Sequence, residues 1–509
     1  MSDEELHVPN RGLLTACVMA ATVMQALDTT IANVALPYMQ GSLSASQDQI
    51  NWVLTSYIVA AAIVMPTTGF LNARFGRKKL LIVSVVGFTV ASGLCGAAHT
   101  LEQIVLFRLL QGVFGAALVP MSQTILLDSY PREKHGSAMA IWGVGVMVGP
   151  ILGPMLGGWL TENYNWRWVF YINVPLGAVV VLGLMAALTE SPKQNARFDW
   201  FGFATLGIAV GALQLMLDRG QNEDWFSSTE IVIEFAISLL AFYLFLVHSA
   251  TAKNPFIAPA LFKDHNFPVG LMMIFVVGVI LLASVALLTP YLQTLMGYPV
   301  FTAGLILGPR GIGTMIAMLL VGRLMARIDP RIFLLLGFGL SALSLYDMTG
   351  YTPDVSDEVL LLNGVLQGFG LGFLFTPLST VTFATLPAEL RTQATALFSL
   401  LRNLGSSIGV SVVIFMLARN TQVVHSELAQ YATPTNPALN MPNVETYWNL
   451  QTLAGRAALN AEITRQAQII AYMNDYLLLA ILALAAAPLV LLLGKPENTK
   501  VDPAHAVME

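Results

Sequence analysis

Fourteen apolar runs, most of about twenty residues, alternate along the chain with shorter polar stretches. They fall near 13–36, 50–71, 79–98, 102–126, 137–160, 168–188, 200–217, 230–249, 268–290, 301–324, 332–351, 358–384, 392–417 and 471–494. A helix needs about 20 mostly apolar residues to cross the hydrocarbon core of a bilayer. Each run therefore predicts a membrane-spanning helix. An even number of spans puts both chain ends on the same side. The first residues, Met1 to Asn10, are polar and acidic, which is not the pattern of a cleaved leader. The first span is expected to stay in the protein.

The polar stretches between the runs are sided. Seventeen of the 25 lysines and arginines fall on the side of the N-terminus, among them Arg74, Arg77, Lys78, Lys79, Arg327 and Arg391. The opposite side has only Arg167, Arg219, Arg419, Arg456 and Arg465. Short basic loops stay in the cytoplasm, so both termini are predicted to be cytoplasmic.

The pattern also repeats. At an offset of 256, Gln111-Gly112 meets Gln367-Gly368, Pro131 meets Pro387, Gly149 meets Gly405 and Gly153 meets Gly409. Gly69-x-Leu71-x-Ala73-Arg74 resembles Gly322-x-Leu324-x-Ala326-Arg327 at an offset of 253. Repeated halves suit a transporter that works by alternating access. The expected layout is a tail over 1–12, a six-helix bundle over 13–190, two inserted helices over 191–265, a second six-helix bundle over 266–494 and a tail over 495–509. Within the second bundle, residues 419–468 read as a long loop on the far side. It contains a turn at Pro434-Thr435-Asn436-Pro437 and a helix-like stretch from Val444. Its position suits capping the outer mouth or docking a partner.

Glycine recurs every four residues at Gly145, Gly149, Gly153 and Gly157, followed by Gly158, with Pro150 and Pro154 between them. On a helix that spacing makes a stripe without side chains, against which another helix can close. The prolines each delete a backbone hydrogen bond and are expected to bend the helix. The stripe is expected to seal one half of the molecule against the other.

A few ionisable residues interrupt the apolar runs. Asp28, in Leu27-Asp28-Thr29-Thr30-Ile31-Ala32-Asn33, lies in the first run. An acid at bilayer depth is a functional candidate by default, because low dielectric disfavours a charged carboxylate and so makes proton exchange available. Arg108, three residues before Gln111, lies in the fourth run and needs a partner or a wet cavity. Asp28 is one candidate partner, Gln111 another. Asp28 and Arg108 are the expected proton-coupling pair. Asn33, Gln111, Arg310, Arg402 and Asn403 are candidates for a substrate cavity. Glu234 falls in an inserted helix and reads as peripheral, and Asp475 reads as a cap opening the last span. Between spans 2 and 3, Gly69, Arg74, Gly76 and Arg77 form a tight basic turn that reads as a hinge or latch.

Composition narrows the class further. The chain of 509 residues is 56% hydrophobic and 11% charged, against roughly 25% charged in soluble proteins. An integral, all-α membrane protein is the reading that remains. Cys17 and Cys95 both lie in apolar runs and suggest neither a disulfide framework nor a metal site. No phosphate-cradling loop, metal-spaced cluster or catalytic set is present, so neither an ATP-driven pump nor an enzyme is indicated, and no cofactor or metal is expected.

These stretches together resemble the major facilitator superfamily, and within it the fourteen-helix drug:proton antiporters of the EmrB type. Leu27 to Pro37 is similar to the family's helix 1 signature, and Arg108 to Ala117 to its helix 4 motif. Gly145 to Gly158 resembles the antiporter motif of helix 5. Trp166 to Gly177, and Leu217 to Gly220 with Asp224 to Phe226, look like the narrower group. The resemblance implies two pseudo-symmetric six-helix bundles plus two inserted helices. It implies export of hydrophobic or amphipathic drugs across the inner membrane in exchange for protons, with Arg108 taking part in proton coupling. It further implies a periplasmic membrane-fusion adaptor and an outer-membrane channel of the TolC type as partners, and no nucleic acid. The chain departs from the superfamily at Ala73, where the helix 2–3 motif usually carries an aspartate that latches the cytoplasmic side. Two other functions compete: a proton-coupled importer of a small metabolite, disfavoured by the helix 5 stripe, and a non-transporting membrane receptor, disfavoured by the lack of a soluble sensory domain.

Overall fold

The computed structural model describes residues 10–494, apart from 192, 194–196, 326, 438, 440, 442–443 and 445–446. The tails at 1–9 and 495–509 lie outside the described residues. Among those residues the fold is helical, without strands. Fourteen helical segments are long and apolar enough to cross a membrane: α1 (Arg11–Ser42), α2 (Gln49–Phe75), α3 (Arg77–Ala97), α4 (Leu101–Ser129), α5 (His135–Asn163), α6 (Trp168–Ala187), α7 (Trp200–Arg219), α8 (Thr229–Thr251), α9 (Asn266–Leu295), α10 (Phe301–Leu324), α11 (Pro330–Gly350), α12 (Asp357–Ala384), α13 (Ala388–Ala429) and α14 (Leu453–Leu492). Their number and order match the apolar runs.

Polar residues at the ends of the runs do the stopping and starting. Ser46 and Gln49 form a reciprocal capping box at the start of α2. Thr100 and Asp199 cap α4 and α7 through their side-chain oxygens. Each cap satisfies backbone N–H groups that the helix leaves unpaired. Gly76, at φ +86°, makes the turn from α2 to α3, a conformation that side chains with a Cβ rarely adopt.

The packing repeats as the sequence does. In the first bundle α1 packs on α5 and α6, α2 on α4, and α3 on α4 and α6. Eight spans later, α9 packs on α13 and α14, α10 on α12, and α11 on α12 and α14. Repeated glycines do the same work in both. Gly112 brings α4 against the backbone of Tyr57 in α2, and Gly368 brings α12 against the backbone of Arg310 in α10. Gly149 closes α5 on Ala26 of α1, and Gly405 closes α13 on Phe275 of α9. The inserted helices α7 and α8 pack together beside α2, and α7 also touches α13. There the Ser411 hydroxyl donates to the Leu217 carbonyl at 2.8 Å.

Two expectations are corrected here. The stripe at Gly145, Gly149, Gly153 and Gly157 does not join the halves. It faces α1, against Met19, Ala26, Thr30 and Ile31 of the same bundle, while Gly158 faces open space. The contact of α5 with α10 uses other positions. Gly136 and Gly143 face Met325 and Met318, and Gly322 faces Ala140 and Ser137. A stripe without side chains fits whichever helix comes closest, and α1 is tied to it by a bond from the Thr30 hydroxyl to the Gly149 carbonyl at 3.0 Å. The helix runs unbroken through 150 and 154; the side chains of Pro150 and Pro154 are outside the described residues.

The second correction concerns 419–468, which is not a loop for most of its length. The helix that forms α13 has 42 residues, about 63 Å at 1.5 Å per residue, roughly twice the ~30 Å hydrocarbon core. Its last turns, Arg419–Ala429, run beside the opening turns of α14, which begin at Leu453; residues 442–443 and 445–446, around Val444, lie outside the described residues. His425 and Asn460 hydrogen-bond across this extension at 3.0 Å. The segment is a helical hairpin whose two arms are joined by residues 430–452. Its polar composition fits helix faces that stand in water.

Candidate functional site

Asp28, Arg108 and Gln111 come together inside the first bundle. One turn of α4 separates Arg108 from Gln111, so both reach toward α1. Arg108 Nη1 donates to Asp28 Oδ2 at 2.6 Å and to Gln111 Oε1 at 2.9 Å. Gln111 Nε2 donates to Asp28 Oδ1 at 2.8 Å. Asn173, at the start of α6, donates to the same Oδ1 at 3.2 Å and to Ser92 of α3 at 3.0 Å. Arg108 Nε donates to the Val53 carbonyl of α2 at 3.0 Å. The guanidinium also lies 4.3 Å from the centre of the Tyr57 ring. Asp28 and Gln111 are 0% exposed, Arg108 and Asn173 1%.

Five helices thus close on one ion pair that water does not reach. Both carboxylate oxygens are paired, and the charges cancel. In such a place the pair is sensitive to the loss of either charge. Leaving the other one alone costs about 3–5 kcal/mol. A proton arriving on Asp28 would have that effect on Arg108, which stays charged.

A second polar cluster holds the halves together at the face rich in basic residues, here called the basic face. Asp128, at the end of α4, accepts from Arg77 at 2.6 Å and from Arg391 at 2.8 Å. Arg77 belongs to the turn between α2 and α3, and Arg391 to the start of α13 in the other bundle. Asn72 donates to the Thr392 hydroxyl at 2.9 Å. Thr124 and Thr395 share a hydrogen bond of 2.8 Å. The Ser137 hydroxyl donates to the Gly322 carbonyl at 3.1 Å. Gly69 lies against the backbone of Gln393, and a Cβ there would be 3.0 Å from its Cα. Asp128 thus reaches across the halves, from α4 to Arg391 of α13. Arg74 is exposed.

The other candidates do not join either cluster. Asn33 is exposed and donates to the Thr29 carbonyl in its own helix. Arg310 is buried in the second bundle and donates to the Leu281 carbonyl at 2.9 Å. Arg402 is half-buried, with its guanidinium 5.7 Å from the Phe375 ring and 3.4 Å from the side-chain oxygen of Asn403. Glu234 of α8 lines a groove together with Val59 and Ile63 of α2 and Gly207 and Gly211 of α7. Asn173, Ser92 and Asp128 were not singled out in the sequence. Asn173 lies in the Trp166 to Gly177 stretch, whose Ile-Asn-Val-Pro was the available signal.

Comparison with known proteins agrees with this architecture. Residues 18–410 match the model of the Major Facilitator Superfamily. The chain belongs to that superfamily. It is 37% identical over 488 residues to the Multidrug export protein EmrB of Haemophilus influenzae, covering 95% of this chain and 96% of that one. It is 38% identical to the EmrB protein of Escherichia coli K12, covering 84% of each chain. To the Fatty acid resistance protein FarB of Neisseria gonorrhoeae it is 36% identical, covering 95% of this chain and 96% of that one. Among solved structures it shares its fold with the proton:xylose symporter XylE, with a TM-score of 0.59 at 14% identity, covering 92% of this chain and 94% of that one. The human organic anion transporter MFSD10 gives 0.57 at 15% identity, covering 93% and 99%. The chain is a multi-pass membrane protein of a transporter family.

Proposed function

We propose that this protein exports hydrophobic and amphipathic compounds across the inner membrane in exchange for protons, by alternating access of its two bundles. The buried Asp28–Arg108 pair carries the reading. It is an acid and a base, sealed at bilayer depth in a membrane protein, with α1, α2, α4 and α6 all bound to it. Protonating Asp28 breaks the balance and leaves Arg108 without its counter-charge, so the helices that hold it must repack. Arg108 and Gln111 also connect the pair to α4, whose end carries Asp128. A change at the pair can thus reach the latch along α4, across the break in its helix at Ala116–Ala117. The names of the relatives, multidrug export and fatty acid resistance proteins, support drug-like and amphipathic substrates.

By the positive-inside rule the basic face is cytoplasmic, as are the termini. The Asp128 latch then shuts the cytoplasmic side, as an outward-facing conformation requires. The hairpin of α13 and α14 projects into the periplasm, where an adaptor of a tripartite efflux system reaching a TolC-type channel would dock. Deleting 432–450 while the pump stays folded is expected to abolish co-purification of the adaptor; unchanged co-purification removes the hairpin from that role.

The test is proton flux in liposomes, with a panel of lipophilic cations, weak-acid uncouplers, fatty acids and bile salts. Outward substrate movement is expected to accompany inward proton movement. Substrate and proton moving the same way supports the importer. A panel without any substrate-dependent proton flux supports the receptor.

A further inference from the structure

The second bundle holds a buried acid that the Asp28 reading leaves unused. Asp475 was expected to cap α14 but lies well inside it, 1% exposed. Its Oδ1 accepts from Asn420 of α13 at 3.5 Å, and its Oδ2 has no hydrogen-bond partner. Among the described residues no cationic side chain forms an ion pair with it. Asp28 accepts three hydrogen bonds shared over both oxygens; Asp475 has one long one.

Its surroundings are polar but unfinished. Tyr472 and Tyr476 stand on the same helix, Tyr291 on α9 and Tyr351 just past the end of α11. The Tyr291 ring centre is 5.3 Å from that of Tyr472 and 6.4 Å from that of Tyr351. The hydroxyls of Tyr291, Tyr351 and Tyr476 are buried without hydrogen-bond partners, and so is Nη1 of Arg310 on α10. Tyr476 follows Asp475 in the chain and lies near Arg310. Asp347 lies near Tyr351, and Asp354 near Tyr291. Arg331 and His265 meet α14 only at its far end, through the carbonyls of Leu493 and Leu492.

An ionised carboxylate taken from water without counter-charge is strongly disfavoured, and burial leaves it the option of holding a proton. The repeat sharpens the contrast. α14 occupies in the second bundle the place of α6, which delivers Asn173 to Asp28. In the first bundle acid and guanidinium are paired. In the second, the acid and the guanidinium of Arg310 both lack that partner in this conformation.

We propose that Asp475 is a second proton site of the transport cycle, loaded when the basic face is shut. This rests on the proton-coupled reading. A proton from water on the far face bonds to Oδ2 and makes a neutral carboxylic acid. When the bundles switch, that O–H bond breaks, the proton leaves to water on the basic side, and Arg310 balances the carboxylate that remains.

Infrared difference spectroscopy of the purified full chain, recorded in H2O and in D2O without any substrate, reads the site directly. The expected result is a protonated-carboxyl C=O band that shifts in D2O, is lost in Asp475→Asn and persists in Asp28→Asn. A band unchanged in Asp475→Asn overturns the proposal. Should that variant fail to fold, Tyr476→Phe is expected to move the same band, and an unmoved band counts against the site equally. In liposomes loaded with ethidium, Asp475→Asn is expected to take up one proton fewer per ethidium released. Equal uptake with the band lost also overturns the role in the cycle. Loss of coupling in Asp475→Asn but not in Asp28→Asn keeps Asp475 and removes Asp28; an effect of Asp28→Asn alone does the reverse.

Discussion

Replacing Asp128 with asparagine tests whether the basic face is held by the latch described above. Asp128 is 8% exposed, and its partners Arg77 and Arg391 are 11% and 10% exposed. Solvent screening is therefore weaker than for a surface pair. Hydrogen bonds to charged groups contribute about 1.5–3 kcal/mol each. Only the bond from Arg391 spans the two bundles, so one such contribution bears on their separation. At 1.4 kcal/mol per tenfold, its loss moves the equilibrium toward the open basic face by about 10- to 150-fold. Asparagine keeps a neutral acceptor, which favours the lower end. The two guanidiniums left facing each other push the other way. Spin labels at Lys134 and Arg327, on opposite bundles and exposed, report the separation by electron–electron distance measurement. Cys17 and Cys95 are buried, which keeps the background labelling low. The expected result is a longer-distance population that grows in Asp128→Asn and Arg391→Gln and less in Arg77→Gln, whose bond stays within one bundle. Identical distance distributions in all four proteins refute the latch.

Other outcomes follow from the same geometry. Gly149→Ala places a methyl group against the Ala26 backbone, which cannot swing aside as a side chain can. A loss of about 1–3 kcal/mol is expected, seen as a lower melting temperature in detergent, whereas Gly158→Ala, facing open space, is expected to melt with the parent. Arg108→Lys keeps the charge but gives up the bond to the Val53 carbonyl and the planar stack on Tyr57. Lysine and arginine are not interchangeable in such a setting, and proton-driven transport is expected to fall at least tenfold; transport at the parent rate would show that charge alone suffices.

Much of the fold was legible because hydropathy alone marks a helix that must cross a bilayer. Asp28 and Arg108 were legible for the same reason: an ion in an apolar run stands out. Asn173 and Ser92 did not stand out, since neutral polar residues are common in such helices, and only the packing of α3 and α6 on α1 brings them to the acid. The partner of the glycine stripe was not legible, because a surface without side chains specifies how closely a helix approaches and not which one. Asp475 was misplaced because the polar turns that open α14 hide the start of the helix, so the acid looked terminal. The latch was not legible because Asp128 meets Arg77 and Arg391 only once α3, α4 and α13 are packed together.

The most direct measurement is proton-driven transport by Asp28→Asn in liposomes, with folding checked by its melting temperature and elution profile. Asparagine matches the shape of the acid but takes up no proton at neutral pH and carries no charge for Arg108. The account predicts a folded protein that no longer accumulates or expels substrate against its gradient when a pH difference is imposed. A folded Asp28→Asn protein that still couples the two movements at the parent rate contradicts it.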